Sequence, residues 1–139
     1  DQQAVDRLAN RAVEAFGRID IWVNNAGVIL FGRFSETPAE DFRQVIETNF
    51  FGQVNGARAV LSIFRGQGYG TLINVASVDA RIPQIDTSAY TASKHAIRSF
   101  GMNLPQELLL DSDKDIHVVT ILPMPIDTPI FQKGANYTG

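Results

Sequence analysis

Ile19-Asp20-Ile21-Trp22-Val23-Asn24-Asn25-Ala26-Gly27 is the stretch that decides the fold. Residues 19–23 read as a short apolar strand, and Asn24-Asn25-Ala26-Gly27 ends it. On the N-terminal side, residues 2–16 predict an amphipathic helix. Val5, Leu8, Ala9, Ala12, Val13 and Phe16 share its apolar face, and Gly17 follows as the stop. On the C-terminal side, a loop through residues 28–34 reaches Thr37-Pro38-Ala39-Glu40, a capping box with proline at the first helical position. The helix it opens directs Phe42, Val45, Ile46, Phe50, Val54, Ala57, Leu61 and Phe64 towards a core and stops near Gly66. A glycine-rich turn over residues 66–70 feeds a strand at 71–75. A third helix is expected from about Ser88 to Leu110 and a third strand over 116–122. Helices alternating with strands predict an α/β fold: a doubly wound parallel sheet with right-handed crossovers, in three α/β/α layers. The strands are apolar runs, as burial on both faces requires. Pro105 falls inside the third helix and predicts a kink, with Gly101 leaving room four residues back.

The totals narrow the class of protein. The 139 residues are 45% hydrophobic and 19% charged, a composition that fits one soluble globular domain. A net charge of −3, without a dense Lys/Arg block, argues against a nucleic-acid or membrane-surface partner. Cysteine is absent, which excludes disulfides and thiolate metal sites. No apolar run reaches the length of about eighteen residues that a membrane span needs. Asp1-Gln2-Gln3 reads as neither a signal nor a transit peptide.

The chemistry lies in the spacing Ser77-x12-Tyr90-x3-Lys94. Tyr90 and Lys94 stand four apart in the run Ser88-Ala89-Tyr90-Thr91-Ala92-Ser93-Lys94, which opens a helix, so they stack on one face. A phenol beside an ammonium is an acid/base device, because the cation favours the phenolate and lowers the tyrosine pKa. Ser77, at the mouth of an apolar strand, supplies a hydroxyl to the same point. In parallel sheets ligands gather beyond the carboxyl ends of the strands, and residues 24–27, Ser77 and Pro123 all lie there. Asn49 sits mid-helix, where asparagine is unfavourable, and a core-facing amide needs partners. The bland alternatives are a core-edge tyrosine, a solvated lysine, a serine capping its turn and an asparagine tied to local backbone. Asn24 reads as structural, bonding across strands, and Trp22 as sheet core. His95 and His117 have no partner at ligand spacing, so no metal is expected.

Taken together, Asn24-Asn25-Ala26-Gly27, Asn49 in Thr48-Asn49-Phe50-Phe51-Gly52, Ser77, Tyr90-x3-Lys94 and residues 123–128 closely resemble the short-chain dehydrogenase/reductase family. The resemblance covers essentially the whole chain. It implies one partial NAD(P)-binding Rossmann-type domain over residues 1–139, carrying reversible hydride transfer between NAD or NADP and an alcohol or carbonyl substrate. It implies that Tyr90 is the general acid/base, that Lys94 lowers its pKa and holds the nicotinamide ribose, and that Ser77 binds the substrate oxygen. It further implies that Asn49 anchors a water relaying protons from Lys94. Asn25, Ala26 and Gly27 would run along the cofactor ribose, and Pro123 and Thr128 would meet its carboxamide or phosphates. A homodimer or homotetramer, paired through the helices at 37–66 and 88–110, and a cytoplasmic location are implied as well.

The chain departs from the family pattern in two places. The usual opening strand and Gly-x3-Gly-x-Gly turn, which receives the pyrophosphate, have no counterpart. Residues 1–6 resemble the stretch just after the family's third strand. The expectation is therefore a piece of a chain of roughly 250 residues, with an unpaired apolar edge at residues 19–23. Met124 replaces the family's usual glycine and would crowd the pocket. Residues 28–34, 82–85 and 130–131 would line a pocket for a largely apolar small molecule. The rival readings are a non-catalytic NAD(P)-sensing or scaffold protein and a catalytically inert piece of the enzyme.

Overall fold

The structure is a computed structural model that describes residues 1–111, 113 and 115–138. Helix α1 (Gln2–Phe16) starts at Asp1, whose carboxylate accepts from the Gln3 N–H at 3.0 Å. It ends at Gly17, where φ is 78°, a left-handed turn that glycine makes without steric cost. Ala9 is buried, and Val5, Ala12 and Val13 pack on the same core. Leu8 and Phe16, expected on that face, are instead 60% and 81% exposed. The reason is that α1 packs on one helix, α3, so the stripe it buries is narrower than the apolar one it carries.

Three strands form the parallel sheet: β1 (Ile21–Asn24), β3 (Gly70–Val75) and β4 (Ile116–Ile121), in the order β1-β3-β4. Asn24 pairs with Asn74, and Val75 with Ile121, so the carboxyl ends of all three strands are level. Helices α3 (Gly52–Gln67) and α4 (Ser88–Leu110) cover the face carrying Leu72 and Asn74, both of which are fully buried. Period-two alternation sends Ile21, Val23, Val119 and Ile121 to the opposite face, where they are exposed. Burial on both faces is thus met on one face only among the described residues. The core between sheet and helices holds Val60, Phe64, Leu72 and Leu108.

Between β1 and β3 the chain is not one helix. Helix α2 (Ala39–Ile46) runs into a π-helical segment, Glu47–Phe51, before α3 begins. The wider turn shifts the helical register and brings Asn49 wholly inside. The capping box is also corrected. Thr37 donates its hydroxyl to the Arg33 carbonyl at 3.0 Å, and α2 begins without a side-chain cap. A second parallel pair joins β2 (Leu30–Phe31), inside the loop expected over residues 28–34, to β5 (Ala135–Asn136); strands of two residues carry no periodicity to reveal them. It clamps the segment after β4 to the loop after β1, and the Tyr137 hydroxyl reinforces it by donating to Asp41. The short helix α5 (Ile130–Lys133) precedes β5.

Helix α4 continues through Pro105 as a single element. Gly101 lies tight against the sheet: a Cβ there would lie 1.9 Å from Thr120 Oγ1 on β4. Glycine lets helix and strand approach closely. Gly101→Ala is therefore expected to destabilise the protein by about 2 kcal/mol through overpacking. Thr120→Ala in the same chain should restore part of this, since Thr120 Oγ1 has no hydrogen-bond partner among the described residues. Urea unfolding of the two single variants and the double one measures the coupling.

Candidate active site

The site forms where three strand ends meet the start of α4. Ser77 follows β3 with extended backbone, held by the Ala76 N–H on the Ile121 carbonyl at 2.9 Å and the Val78 N–H on the Pro123 carbonyl at 3.0 Å. Its Oγ accepts from the Asp79 N–H at 3.2 Å, capping the 3₁₀ turn Val78–Ala80. Tyr90 and Lys94 project from the first turns of α4, and the Lys94 ammonium lies 5.4 Å from the Tyr90 ring centroid. One cavity of about 530 Å³ is lined by Ser77, Tyr90 and Lys94. Asn25, Ala26, Gly27, Pro123 and Thr128 line it too. Of the catalytic and cofactor-binding candidates singled out in the sequence, only Asn49 does not line this cavity.

The electrostatics differ from the sequence expectation. Burial, the largest influence, raises the Tyr90 pKa; the Ser77 hydroxyl lowers it and Asp79 raises it again. No direct Ser77–Tyr90 hydrogen bond is made among the described residues, yet the hydroxyl lies near enough to favour the phenolate. The Lys94 ammonium lies over the ring face and donates to the Val75 carbonyl at 3.0 Å, and burial outweighs any pull from it on the phenol. Burial brings Lys94 itself down to about 8, against a smaller opposing pull from Asp79. At neutral pH the site thus holds a protonated phenol beside a largely protonated amine.

Asn49 supports the site from behind. Its Oδ1 accepts from the Val28 N–H at 2.8 Å, and its Nδ2 donates to the Val28 carbonyl at 2.9 Å and to Ser93 Oγ at 3.0 Å. Ser93 in turn donates to the Tyr90 carbonyl at 2.6 Å. Both amide hydrogens are committed to these bonds, so the side chain ties the loop after β1 to the first turns of α4. Asn49→Ala should cost about 3 kcal/mol, because it strands the buried polar groups of Val28. A lowered melting temperature checks this; an unchanged one contradicts it. Asn24 is structural as expected, donating to Asn74 Oδ1 at 3.0 Å while accepting from Trp22 Nε1 at 2.8 Å.

Sequence reading missed several contributors. Gln53 is fully buried and donates to the same Val75 carbonyl as Lys94, at 3.0 Å. Ser93, immediately before Lys94, and Asp79, two residues after Ser77, were signalled only by being polar beside the motif. The apolar wall comes from Ile29, Phe31, Ile130 and Phe131, as expected of residues 28–34 and 130–131. Ile82 and Ile85 are instead 58% and 89% exposed and lie outside it. Met124 also lines the cavity and is 68% exposed. His95 is turned to the Thr91 carbonyl, and no group of metal-ligating residues occurs among the described residues.

A dinucleotide fits this chemistry. A Cβ at Gly27 would reach 3.5 Å from Asn49 Oδ1 and 3.7 Å from Lys94 Nζ, filling the space in front of the ammonium that a ribose needs. Lys94 Nζ carries three donors and spends one on Val75, which leaves two for vicinal hydroxyls.

Comparison with known proteins agrees. Residues 1–137 match the family described as short chain dehydrogenase. YxnA of Bacillus subtilis (strain 168), named an uncharacterized oxidoreductase, is 35% identical over 137 residues, covering 98% of this chain and 38% of its own. A short-chain dehydrogenase structure from Streptomyces avermitilis superposes with a TM-score of 0.84 at 32% identity, covering 99% of this chain and 49% of that one. A short chain dehydrogenase/reductase from Burkholderia phymatum, solved in complex with NAD, gives 0.90 at 31% identity, with 95% and 47% covered. The chain spans half or less of the length of each of these relatives.

Proposed function

This chain belongs to the short-chain dehydrogenase family, and on that premise we propose that its cavity is the active site of an NAD(P)-dependent oxidoreductase acting on an alcohol or carbonyl carbon. The observation that carries the reading is the meeting of Ser77, Tyr90 and Lys94 on one cavity wall. NAD or NADP, when bound, supplies or accepts the hydride. The chain's own residues manage position and protons. Tyr90, kept protonated at neutral pH by burial, gives its proton to the carbonyl oxygen and takes it back in the reverse direction. Ser77 donates a hydrogen bond to that same oxygen and stabilises the charge developing on it. Lys94 and the backbone of Asn25, Ala26 and Gly27 hold the ribose, with Pro123 and Thr128 on the far side. Residues 1–139 act as one NAD(P)-binding Rossmann-type unit in this reading.

The test is direct. The protein mixed with NADH or NADPH and a panel of aldehydes and ketones should oxidise the nicotinamide. Cofactor binding without oxidation of any panel member would overturn this reading in favour of a non-catalytic sensor. We also read the protein as a cytoplasmic homodimer or homotetramer, paired through α2–α3 and α4, on which Phe51 and Met102 are exposed. Light scattering checks this. No helix among the described residues is long and apolar enough to cross a membrane.

A further inference from the structure

Asp79 has no part in the proton chemistry just described, yet it occupies the cavity. Its side chain lines the wall beside Ser77 and Tyr90, and the residue is only 8% exposed. Burying a carboxylate is costly unless it is paired or well hydrogen-bonded. Asp79 has little of either: it attracts the Lys94 ammonium from a distance without forming an ion pair with it. Its Oδ1 accepts one bond, from Gln84 Nε2 at 3.1 Å, and no other side chain among the described residues donates to it. The salt bridges found among those residues join Arg18 to Asp20 and Arg65 to Asp111 and Asp113, all away from the cavity. A carboxylate offers about four lone-pair sites, so most of its accepting capacity faces the pocket. The location is also specific. The Asp79 backbone N–H bonds Ser77 Oγ at 3.2 Å, which ties the residue that carries the carboxylate, two positions on, to the hydroxyl proposed to meet the reacting oxygen.

A negative charge here works against the site's own base, since Asp79 raises the Tyr90 pKa. A buried carboxylate that opposes the chemistry and has a single neutral side-chain donor among the described residues calls for a further donor in the ligand. We propose that Asp79 is a specificity residue, accepting a hydrogen bond from a hydroxyl or ammonium group that the substrate carries next to its carbonyl carbon. The inference rests on the reading of the cavity as a carbonyl/alcohol site. It narrows the substrate class from any small apolar carbonyl to one with an apolar body and a donor beside the reacting carbon. Gln84, also on the cavity wall, holds the carboxylate in place.

Butanone, hydroxyacetone and aminoacetone are nearly equal in size and differ at one position: a methyl, a hydroxyl and an ammonium. The readout is the ratio of kcat/KM for each donor-bearing ketone to that for butanone within one protein, which cancels any general loss of activity. The wild-type protein should favour at least one donor-bearing ketone by about tenfold or more, as a charge-assisted bond allows. Asp79→Asn should lower that ratio about tenfold, and more for aminoacetone than for hydroxyacetone if an ammonium is the natural donor. Gln84→Leu, which frees the carboxylate to swing, should lower it in the same direction and serves if Asp79→Asn does not fold. Equal ratios in wild type and variants, with all three ketones reduced, overturn the proposal and leave the oxidoreductase reading intact. Absence of turnover with all three and with the wider carbonyl panel overturns both.

Discussion

Tyr90→Phe is expected to lower carbonyl reduction about a thousandfold, within the range for loss of a positioned general acid. Phenylalanine keeps the ring, its packing at the start of α4 and the face presented to the Lys94 ammonium. It removes the hydroxyl that, in the proposed reading, hands a proton to the substrate oxygen and takes it back. Because burial keeps the phenol protonated in the free protein, the wild type is charged with its proton before substrate arrives. The loss should fall mainly on kcat, with cofactor affinity weakened by less than about tenfold, since only a neutral hydrogen bond is lost from the ground state. Steady-state kinetics with NADH or NADPH, alongside a fluorescence titration of each, separate the two effects. A variant that retains more than about a tenth of the wild-type rate contradicts the assignment.

Lys94→Met is expected to abolish turnover to a similar degree while making the protein more stable. Lys94 is 4% exposed, and its pKa falls from 10.5 to about 8 on burial. Folding therefore favours the neutral amine. Below the folded value of about 8 the protein carries the full cost of holding a buried ammonium. That cost fades as pH rises towards the unfolded value. The difference amounts to on the order of 3 kcal/mol at neutral pH. Methionine fills the same space without charge, and the Val75 carbonyl keeps its bond from Gln53 Nε2. Melting temperatures should thus be higher for the variant near neutral pH and converge with wild type at strongly alkaline pH. A lower melting temperature at neutral pH would show that the ammonium is stabilising where it lies.

The parts of the site that were legible in the sequence are those set by local rules. Tyr90 and Lys94 lie one helical turn apart whatever surrounds them, and the bounds of α4 followed from its composition. Ser77 was legible because a strand must end where its apolar run ends. What escaped was decided at a distance. The π turn at Glu47–Phe51 has no periodicity of its own; it forms because Asn49 finds Val28 and Ser93 inside. The β2–β5 pair joins dipeptides far apart in the chain. The direction of the Tyr90 shift depends on how deeply α4 seats the phenol and on Asp79 across the turn, neither of which a spacing encodes. The close approach of Gly101 to Thr120 likewise depends on how α4 lies on β4, which the sequence around Pro105 does not encode.

A double-mutant cycle on Ser77 and Tyr90 most directly tests whether these groups act on a single substrate oxygen. Carbonyl reduction would be compared in wild type, Ser77→Ala, Tyr90→Phe and the double variant. If both hydroxyls serve one atom, the double variant should be scarcely slower than Tyr90→Phe alone, because the second removal takes away support for a proton transfer already lost. Losses that multiply, with each substitution slowing the other variant as much as it slows wild type, would mean that the two hydroxyls act at separate points.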